Sequence, residues 1–102
     1  MARLRIDIPM EKIKVFCEEW KVVEFSLFGS VLRDDFRSDS DIDVLLSFEE
    51  NSAWSLYDLV EMKDELEIIF GREVDLVEKE AIRNPYRRRS MLVEQEVLYA
   101  AQ

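Results

Sequence analysis

The Gly29-Ser30 pair ends one apolar run, and ten residues separate it from Asp41-Ile42-Asp43, which opens a second apolar run. β-Branched and aromatic residues dominate both runs, so residues 22–28 and 41–48 are predicted to be buried strands. Because side chains alternate faces along a strand, the two aspartates project to the same side, about 6.5 Å apart along the backbone. Two carboxylates placed side by side favour a bound cation.

Helical and strand patterns alternate along the remainder of the chain. Apolar residues at three- and four-residue spacing predict a helix over residues 9–20. Another helix begins after Ser55, which has Asp58 as a capping-box partner, and ends at Gly71. The pattern further predicts a short helix over 30–35, a third strand over Glu73–Val77, and a final helix from Pro85 that contains Met91, Leu92, Val97 and Leu98.

This order of elements predicts one small α/β domain over residues 1–102, with a mixed sheet of about three to four strands and helices packed mainly on one face. We expect no second substrate-binding domain within 102 residues. On the third strand, Asp75 falls on one face, and Val74 and Leu76 fall on the other. The acidic side chains are therefore expected on the sheet face that the helices do not need to cover.

Charge and composition limit the substrates and the catalytic groups that we expect. The chain has 14 basic and 23 acidic residues and a net charge of -9. Affinity for nucleic acids comes mainly from Lys and Arg side chains that neutralise phosphates, so long RNA or DNA is not the expected substrate. The absence of histidine excludes Ser-His and Cys-His nucleophiles, imidazole zinc sites and histidine general bases. Carboxylates, with a metal ion, are left to carry the chemistry.

The single cysteine, Cys17, cannot form an internal disulfide and falls on the apolar face of the first predicted helix, where we expect a buried thiol. Nothing in the sequence therefore requires an oxidising compartment. No stretch approaches the ~20 apolar residues of a membrane span, and Arg3 and Arg5 are not followed by the apolar segment of a signal peptide. We expect a cytoplasmic protein that does not contact a membrane.

Four segments carry a family pattern: Phe28–Arg33, Ser38–Asp43, Val74–Val77 and Asn84–Arg89. In this order they resemble the signature of the DNA polymerase β-like nucleotidyltransferase superfamily, and most closely its smallest branch, the minimal nucleotidyltransferases (MNT proteins). A Gly-Ser dipeptide alone is a weak signal, whereas an ordered set over nearly the whole chain is specific. The resemblance implies the polymerase β-like fold and transfer of AMP from ATP to a hydroxyl.

The resemblance also implies that Asp41, Asp43 and Asp75 are catalytic and hold two Mg²⁺ ions. Asp41 and Asp43 would bridge the metals, and Asp75 would complete the site of the attacking hydroxyl, as a ligand or as a general base. Aspartate is unfavourable in strands otherwise built from Val, Ile and Leu. This cost favours a functional role over the alternative of three solvated strand-edge charges.

Gly29, Ser30 and Arg33 are the expected nucleotide-binding residues. Gly29 permits close backbone approach, and Ser30 begins a predicted helix whose free amides favour phosphate, so we expect this pair to hold the β- and γ-phosphates. Ser30 can also act as a plain helix N-cap, which uses the same amides. Arg33 lies one turn later and either reaches the triphosphate or is an exposed helix arginine. Many relatives have Gly after this arginine, whereas this chain has Asp34.

Two other aspartate motifs match part of this pattern. Four acidic residues between 39 and 50 fall at ligand positions of an EF-hand frame, but Val44 stands where that loop requires Gly and continues as an apolar strand. The calcium loop is therefore excluded. A DxD motif of the glycosyltransferase kind stays formally open, although it does not explain Gly29-Ser30 at this spacing.

Arg87, Arg88 and Arg89 form a basic run in an acidic chain. Such a run is most often a solvated helix face, although it can contact a nucleotide or an acidic patch on a partner. Arginines near a helix N-terminus oppose the helix dipole, which hints at a compensating group. Four aromatic residues are expected to pack in the core or at its rim rather than to stack on a base, with the alternative open that one of them flanks adenine: Trp20, Trp54, Tyr57 and Tyr86.

The family resemblance, rather than any single residue, suggests the acceptor. The chain resembles the antitoxins of HEPN/MNT toxin–antitoxin pairs, in which the nucleotidyltransferase adenylylates a tyrosine of the HEPN ribonuclease and silences it. An acidic enzyme without a separate substrate domain suits a folded protein acceptor and suits RNA poorly. Two alternatives stay open: an antitoxin that occludes its partner without catalysis, and a transferase that acts on a small molecule.

Overall fold

The computed structural model describes residues 8–29 and 41–101, except for the side chains of Arg88, Met91 and Leu92. Its elements are α1 (Met10–Trp20), β1 (Val22–Phe28), β2 (Ile42–Phe48), α2 (Leu56–Phe70), β3 (Val74–Glu78), a 3₁₀ turn (Lys79–Ala81), α3 (Pro85–Glu94) and β4 (Glu96–Ala100). The described strands form one four-stranded sheet with the order β3-β2-β1-β4.

The sheet is mixed. Strand β2 pairs parallel with β3 and antiparallel with β1, and β4 pairs antiparallel with β1. This arrangement confirms the predicted small α/β class with three to four strands. The predicted bounds of β1 are the observed ones, and β2 and β3 each begin one residue later than predicted. The short helix predicted over 30–35 lies outside the described residues.

The C-terminal segment corrects the prediction of one continuous final helix. Helix α3 ends at Glu94, and Val97 and Leu98 belong to strand β4. A short apolar pattern of this kind is compatible with either state. Pairing decides between them, because β4 supplies hydrogen-bond partners along the edge of β1 that β2 leaves free.

Helices α1 and α2 pack on the same face of the sheet. Helix α2 begins with the predicted capping box: the Ser55 hydroxyl accepts from the Asp58 N–H, and the Asp58 carboxylate accepts from the Ser55 N–H at 2.8 Å. The helix ends at Gly71, whose φ of 71° is the left-handed conformation expected of a helix stop. Both ends of α2 are therefore set by local sequence.

The core lies between these two helices and one face of the strands. Phe16 of α1 meets Phe25 of β1 edge to face, with ring centroids 6.1 Å apart. Burying one such side chain contributes about 1.5–3 kcal/mol. The buried core residues of the strands are Val22, Phe25, Leu27, Ile42, Val44, Leu46 and Val74, and those of the helices are Ile13, Phe16, Cys17, Trp20, Met62 and Leu66.

Two of the four aromatic predictions are confirmed. Trp20 is buried, donates from Nε1 to the Glu65 carboxylate at 2.7 Å, and packs edge to face on Trp54 at a centroid distance of 5.1 Å. Tyr57 and Tyr86 are 88% and 85% exposed, so their predicted packing is wrong. Each lies in the first turn of its helix.

Cys17 is fully buried, as predicted. Burial, reinforced by the neighbouring Glu18 carboxylate, raises the pKa of its thiol from 9.0 to about 12. The thiol is therefore neutral and unreactive near neutral pH. Among the helices that the structure describes, none combines the length and the apolar character needed to cross a membrane.

Candidate active site

The face of the sheet away from α1 and α2, here called the acidic face, carries the side chains that alternate with the core residues. On β2 these include Asp43 and Ser47, and on β3 they include Asp75 and Val77. None of them belongs to the core cluster. Strand alternation therefore separates the aspartates from the apolar core, as the sequence predicts.

Asp43 and Asp75 are direct neighbours across two parallel strands. In the register of the sheet, Asp43 stands opposite Asp75 of β3 on one side and opposite Phe28 of β1 on the other. Adjacent strands lie about 4.8 Å apart, so the two carboxylates leave the sheet side by side. Asp43 is half-buried, whereas Asp75, on the edge strand, is exposed. The edge position leaves Asp75 open to a group that approaches from outside.

Asp41 lies immediately before β2 and is exposed. Between the two aspartates of the motif, Ile42 is fully buried, and its N–H donates to the Glu73 carbonyl at 2.9 Å. This bond ties the beginning of β2 to the segment that enters β3. With Ile42 held in the core, alternation directs Asp41 and Asp43 to the acidic face.

Gly29, from the first half of the Gly-Ser…Asp-Ile-Asp motif, lies against Asp43, from the second half. It follows the last residue of β1 and has a φ of 78°, a conformation that L side chains rarely adopt. A Cβ atom at this position would overlap the carboxylate of Asp43. Glycine is required here both for the backbone conformation and for the close approach of the chain to Asp43.

The other two predicted nucleotide ligands, Ser30 and Arg33, lie outside the described residues and stay predictions. Within the described part of the chain, no three His, Cys, Asp or Glu side chains converge as a metal-binding group. The chemistry of the available donors nevertheless fits Mg²⁺, which prefers carboxylate oxygens. Asp43 and Asp75 supply two such donors from adjacent strands, and Asp41 lies two residues before Asp43, outside β2.

At the far end of the acidic face, the 3₁₀ turn after β3 folds back onto the sheet. Lys79 Nζ lies 2.8 Å from a Glu24 carboxylate oxygen, and the Ser47 hydroxyl donates to Glu80. Glu24 and Ser47 are paired in the sheet register, four residues from the Phe28–Asp43 pair. Acidic groups at this end are thus engaged within the chain.

Two cavities adjoin β3, and Asp75 lines one of them. One, of about 240 Å³, is a mostly apolar cleft between β3 and α2 that includes Leu59, Leu76 and Asp75 in its walls. The other, of about 250 Å³, lies between β3 and the beginning of α3 and includes Arg83 and Arg87. The sequence singled out Arg87 within its basic run, but an isolated Arg83 before Asn84-Pro85 carried no signal of its own.

Two solved structures have a fold similar to that of this chain. A crystal structure of a toxin–antitoxin with AMP-PNP aligns with a TM-score of 0.74 at 20% sequence identity, covering 93% of this chain and 76% of that chain. A tri-AMPylated Shewanella oneidensis HEPN toxin in complex with MNT antitoxin aligns with a TM-score of 0.66 at 20% identity, covering 91% and 71%. At these identities the likeness shows the fold.

In sequence, the chain is 39% identical over 67 residues to the protein adenylyltransferase MntA of Thermococcus cleftensis, with 66% of each chain covered. The family model for the nucleotidyltransferase domain matches residues 9–98. This range contains Gly29 and all three aspartates of the acidic face, together with both helices of the core. The chain is a nucleotidyltransferase enzyme, and it belongs to the nucleotidyltransferase domain family.

Proposed function

We propose that this nucleotidyltransferase transfers AMP from ATP to a tyrosine hydroxyl of a HEPN-type ribonuclease toxin and so acts as its antitoxin. The observation that carries the proposal is the packing of Gly29 against the Asp43 carboxylate, with Asp75 beside Asp43 in the sheet. This packing supports the proposal, because in-line phosphoryl transfer needs a phosphate-binding turn close to the carboxylates that hold the metal.

In this proposal Asp41, Asp43 and Asp75 hold Mg²⁺, which when bound neutralises charge on the α-phosphate and on the leaving pyrophosphate. The half-buried Asp43 is the central ligand, because strands on both sides hold it in place. Gly29 and Ser30 bind the β- and γ-phosphates, and Arg33 contacts the triphosphate. These roles leave the exposed Asp75 on the acceptor side.

The reaction exchanges one bond to phosphorus for another. The acceptor oxygen forms a bond to the α-phosphorus of ATP, and the bond from that phosphorus to the pyrophosphate oxygen breaks. Asp75 takes the hydroxyl proton as a general base, and pyrophosphate leaves with the electron pair of the broken bond. The exposure of Asp75 on an edge strand suits this role, since the hydroxyl must arrive from a second protein.

The relatives support a protein acceptor. MntA of Thermococcus cleftensis is named a protein adenylyltransferase, and the similar folds include a toxin–antitoxin with AMP-PNP and an AMPylated HEPN toxin bound to its antitoxin. The net charge of -9 disfavours a nucleic-acid substrate. We further propose that residues 1–102 act as one minimal domain and that the enzyme works in the cytoplasm, where a single thiol such as Cys17 stays reduced.

Intact-mass spectrometry tests the proposal. The protein encoded next to this one is incubated with this chain, ATP and Mg²⁺, and we expect its mass to increase by one or more AMP units. Asp43→Asn removes a ligand that stabilises transition-state charge, so the rate should fall by at least about a hundredfold while the complex still forms. Asp64→Asn is the matched control, because it removes an exposed carboxylate from α2 on the other side of the sheet.

Three other outcomes contradict parts of the proposal. A stable complex without any mass gain, in which Asp43→Asn still neutralises the toxin, indicates neutralisation by occlusion. Consumption of ATP without a protein partner indicates a small-molecule acceptor. A mass gain that survives chelation of divalent ions by EDTA contradicts the metal role of the three aspartates.

A further inference from the structure

A cavity of about 250 Å³ lies where the chain leaves β3 and enters α3. Its walls include Val77, Glu78, Ile82, Arg83, Asn84 and Arg87. Val77 follows Asp75 by two residues and lies on the same face of β3, which places the two about 6.5 Å apart along the strand. The cavity therefore adjoins the acceptor side of the proposed active site.

Two arginines contribute positive charge to the walls of this cavity. Arg83 and Arg87 are both exposed. Among the described residues, no carboxylate forms an ion pair with either one, although Glu78 lines the same cavity. Lys79, by contrast, pairs with Glu24. Within residues 8–29 and 41–101, both guanidinium groups are therefore without an ion-pair partner and open to an external anion.

Arg87 lies in the first turn of α3, and this position favours the binding of an external anion. The Asn84 side-chain oxygen accepts from the N–H groups of Tyr86 and Arg87, at 2.9 and 3.2 Å, and Pro85 occupies the first helical turn. The positive end of the helix dipole opposes a cation in this turn. An oxyanion bound between Arg83 and Arg87 offsets that repulsion and gains charge-assisted hydrogen bonds.

We propose that Arg83 and Arg87 form a binding site for an oxyanion that the acceptor carries next to its reacting hydroxyl. The inference rests on the proposed function, since it places the acceptor beside Asp75. The oxyanion has two sources with the same chemistry: an acidic side chain that flanks the hydroxyl, or the phosphate of an AMP that is already attached. Both groups suit the planar, two-pronged guanidinium of arginine.

The test measures the KM for the acceptor with Arg83→Gln, Arg87→Gln and the double variant. A charge-assisted hydrogen bond contributes about 1.5–3 kcal/mol, so the double variant should raise this KM by at least about tenfold. The KM for ATP and the kcat should stay unchanged, because neither arginine contacts the nucleotide in this proposal. Arg89→Gln is the matched control: Arg89 is exposed on the same helix but does not line the cavity.

The two sources are separated by running the assay on unmodified partner and on purified partner that carries one AMP. A higher KM for unmodified partner identifies an acidic side chain, and a higher KM for the AMP-bearing partner alone identifies the attached phosphate. A double variant that matches Arg89→Gln with both substrates overturns the inference. All three side chains are exposed, so the melting temperature should stay that of the unmodified sequence.

Failure of the proposed function gives a different result, since the enzyme without substitutions then transfers no AMP. In that case, the Kd of the complex with the partner protein tests the arginine site. At least tenfold weaker binding by the double variant, with no change for Arg89→Gln, supports an oxyanion contact with the partner. An unchanged Kd overturns it.

Discussion

The two faces of the sheet use the same strands for opposite purposes. On β2, Ile42 and Val44 are fully buried under the helices, whereas Asp43 between them stands half-buried on the acidic face. On β3, Val74 is buried and Asp75 is exposed. Neighbouring residues on one strand therefore lie in different environments, one in the core and one on the acidic face. Substitutions on one face should leave the property of the other face largely intact.

Gly29 is the position where we expect a substitution to lower the activity most strongly. Gly29→Ala places a Cβ against the Asp43 carboxylate and strains a backbone with a φ of 78°. A displacement of about 1 Å in a reacting group can lower the rate about a hundredfold, so we expect AMP transfer to fall by that order. The rate is measured by intact mass of the acceptor, at a temperature where the variant is folded.

Gly71→Ala is the control for backbone strain alone. Gly71 has a similar φ of 71°, but no described atom lies within 4 Å of the added Cβ. The Gly71→Ala substitution should lower the free energy of unfolding by about 1 kcal/mol and leave the rate of AMP transfer unchanged. Equal rates for the two variants would contradict the contact between the Gly29 turn and Asp43.

Ile42→Ala should produce the opposite combination of effects to Asp43→Asn. Removing a fully buried side chain costs about 2–5 kcal/mol in the free energy of unfolding, and Ile42→Val costs about 0.5–1.5 kcal/mol. Urea unfolding measures both values. The kcat per folded molecule should stay near that of the unmodified enzyme. A large loss of kcat in Ile42→Ala would show that packing under the sheet also positions the neighbouring aspartates.

A smaller effect than that of Ile42→Ala is a loss of stability at high pH that depends on Cys17. The unfolded thiol ionises near pH 9.0, whereas burial raises its folded pKa to about 12. The contribution is therefore fully present below pH 9 and is lost as the pH rises towards 12, because the unfolded state releases its proton first. Between pH 8 and pH 10 this loss is about 1.4 kcal/mol.

Comparison with Cys17→Ala isolates this effect from the titration of tyrosines and lysines over the same range. The variant should show a shallower fall in the free energy of unfolding between pH 8 and pH 10. Thiol reagents should label Cys17 slowly in the native protein and quickly in urea. Parallel pH profiles for the two proteins would contradict the raised pKa.

Local patterns were sufficient where neighbours in sequence set the structure. The bounds of β1, the capping box at Ser55 and the stop at Gly71 agree with prediction, because each depends on residues a few positions apart. The division of Asp75 from Val74 also agrees, since it follows from strand alternation. The β4 strand was missed, because its conformation depends on the distant edge of β1.

The amino-acid sequence alone specified which groups are present: aspartates on strands, a glycine before a predicted phosphate-binding turn, and no histidine. It also specified an apolar stripe for each core helix. Tertiary structure alone decided which of these groups meet. The register that pairs Asp43 with Asp75, the approach of Gly29 to Asp43, and the cavity shared by Val77 of β3 and Arg87 of α3 all link different elements or loops. Such meetings depend on strand pairing and packing, which windows of neighbouring residues do not encode.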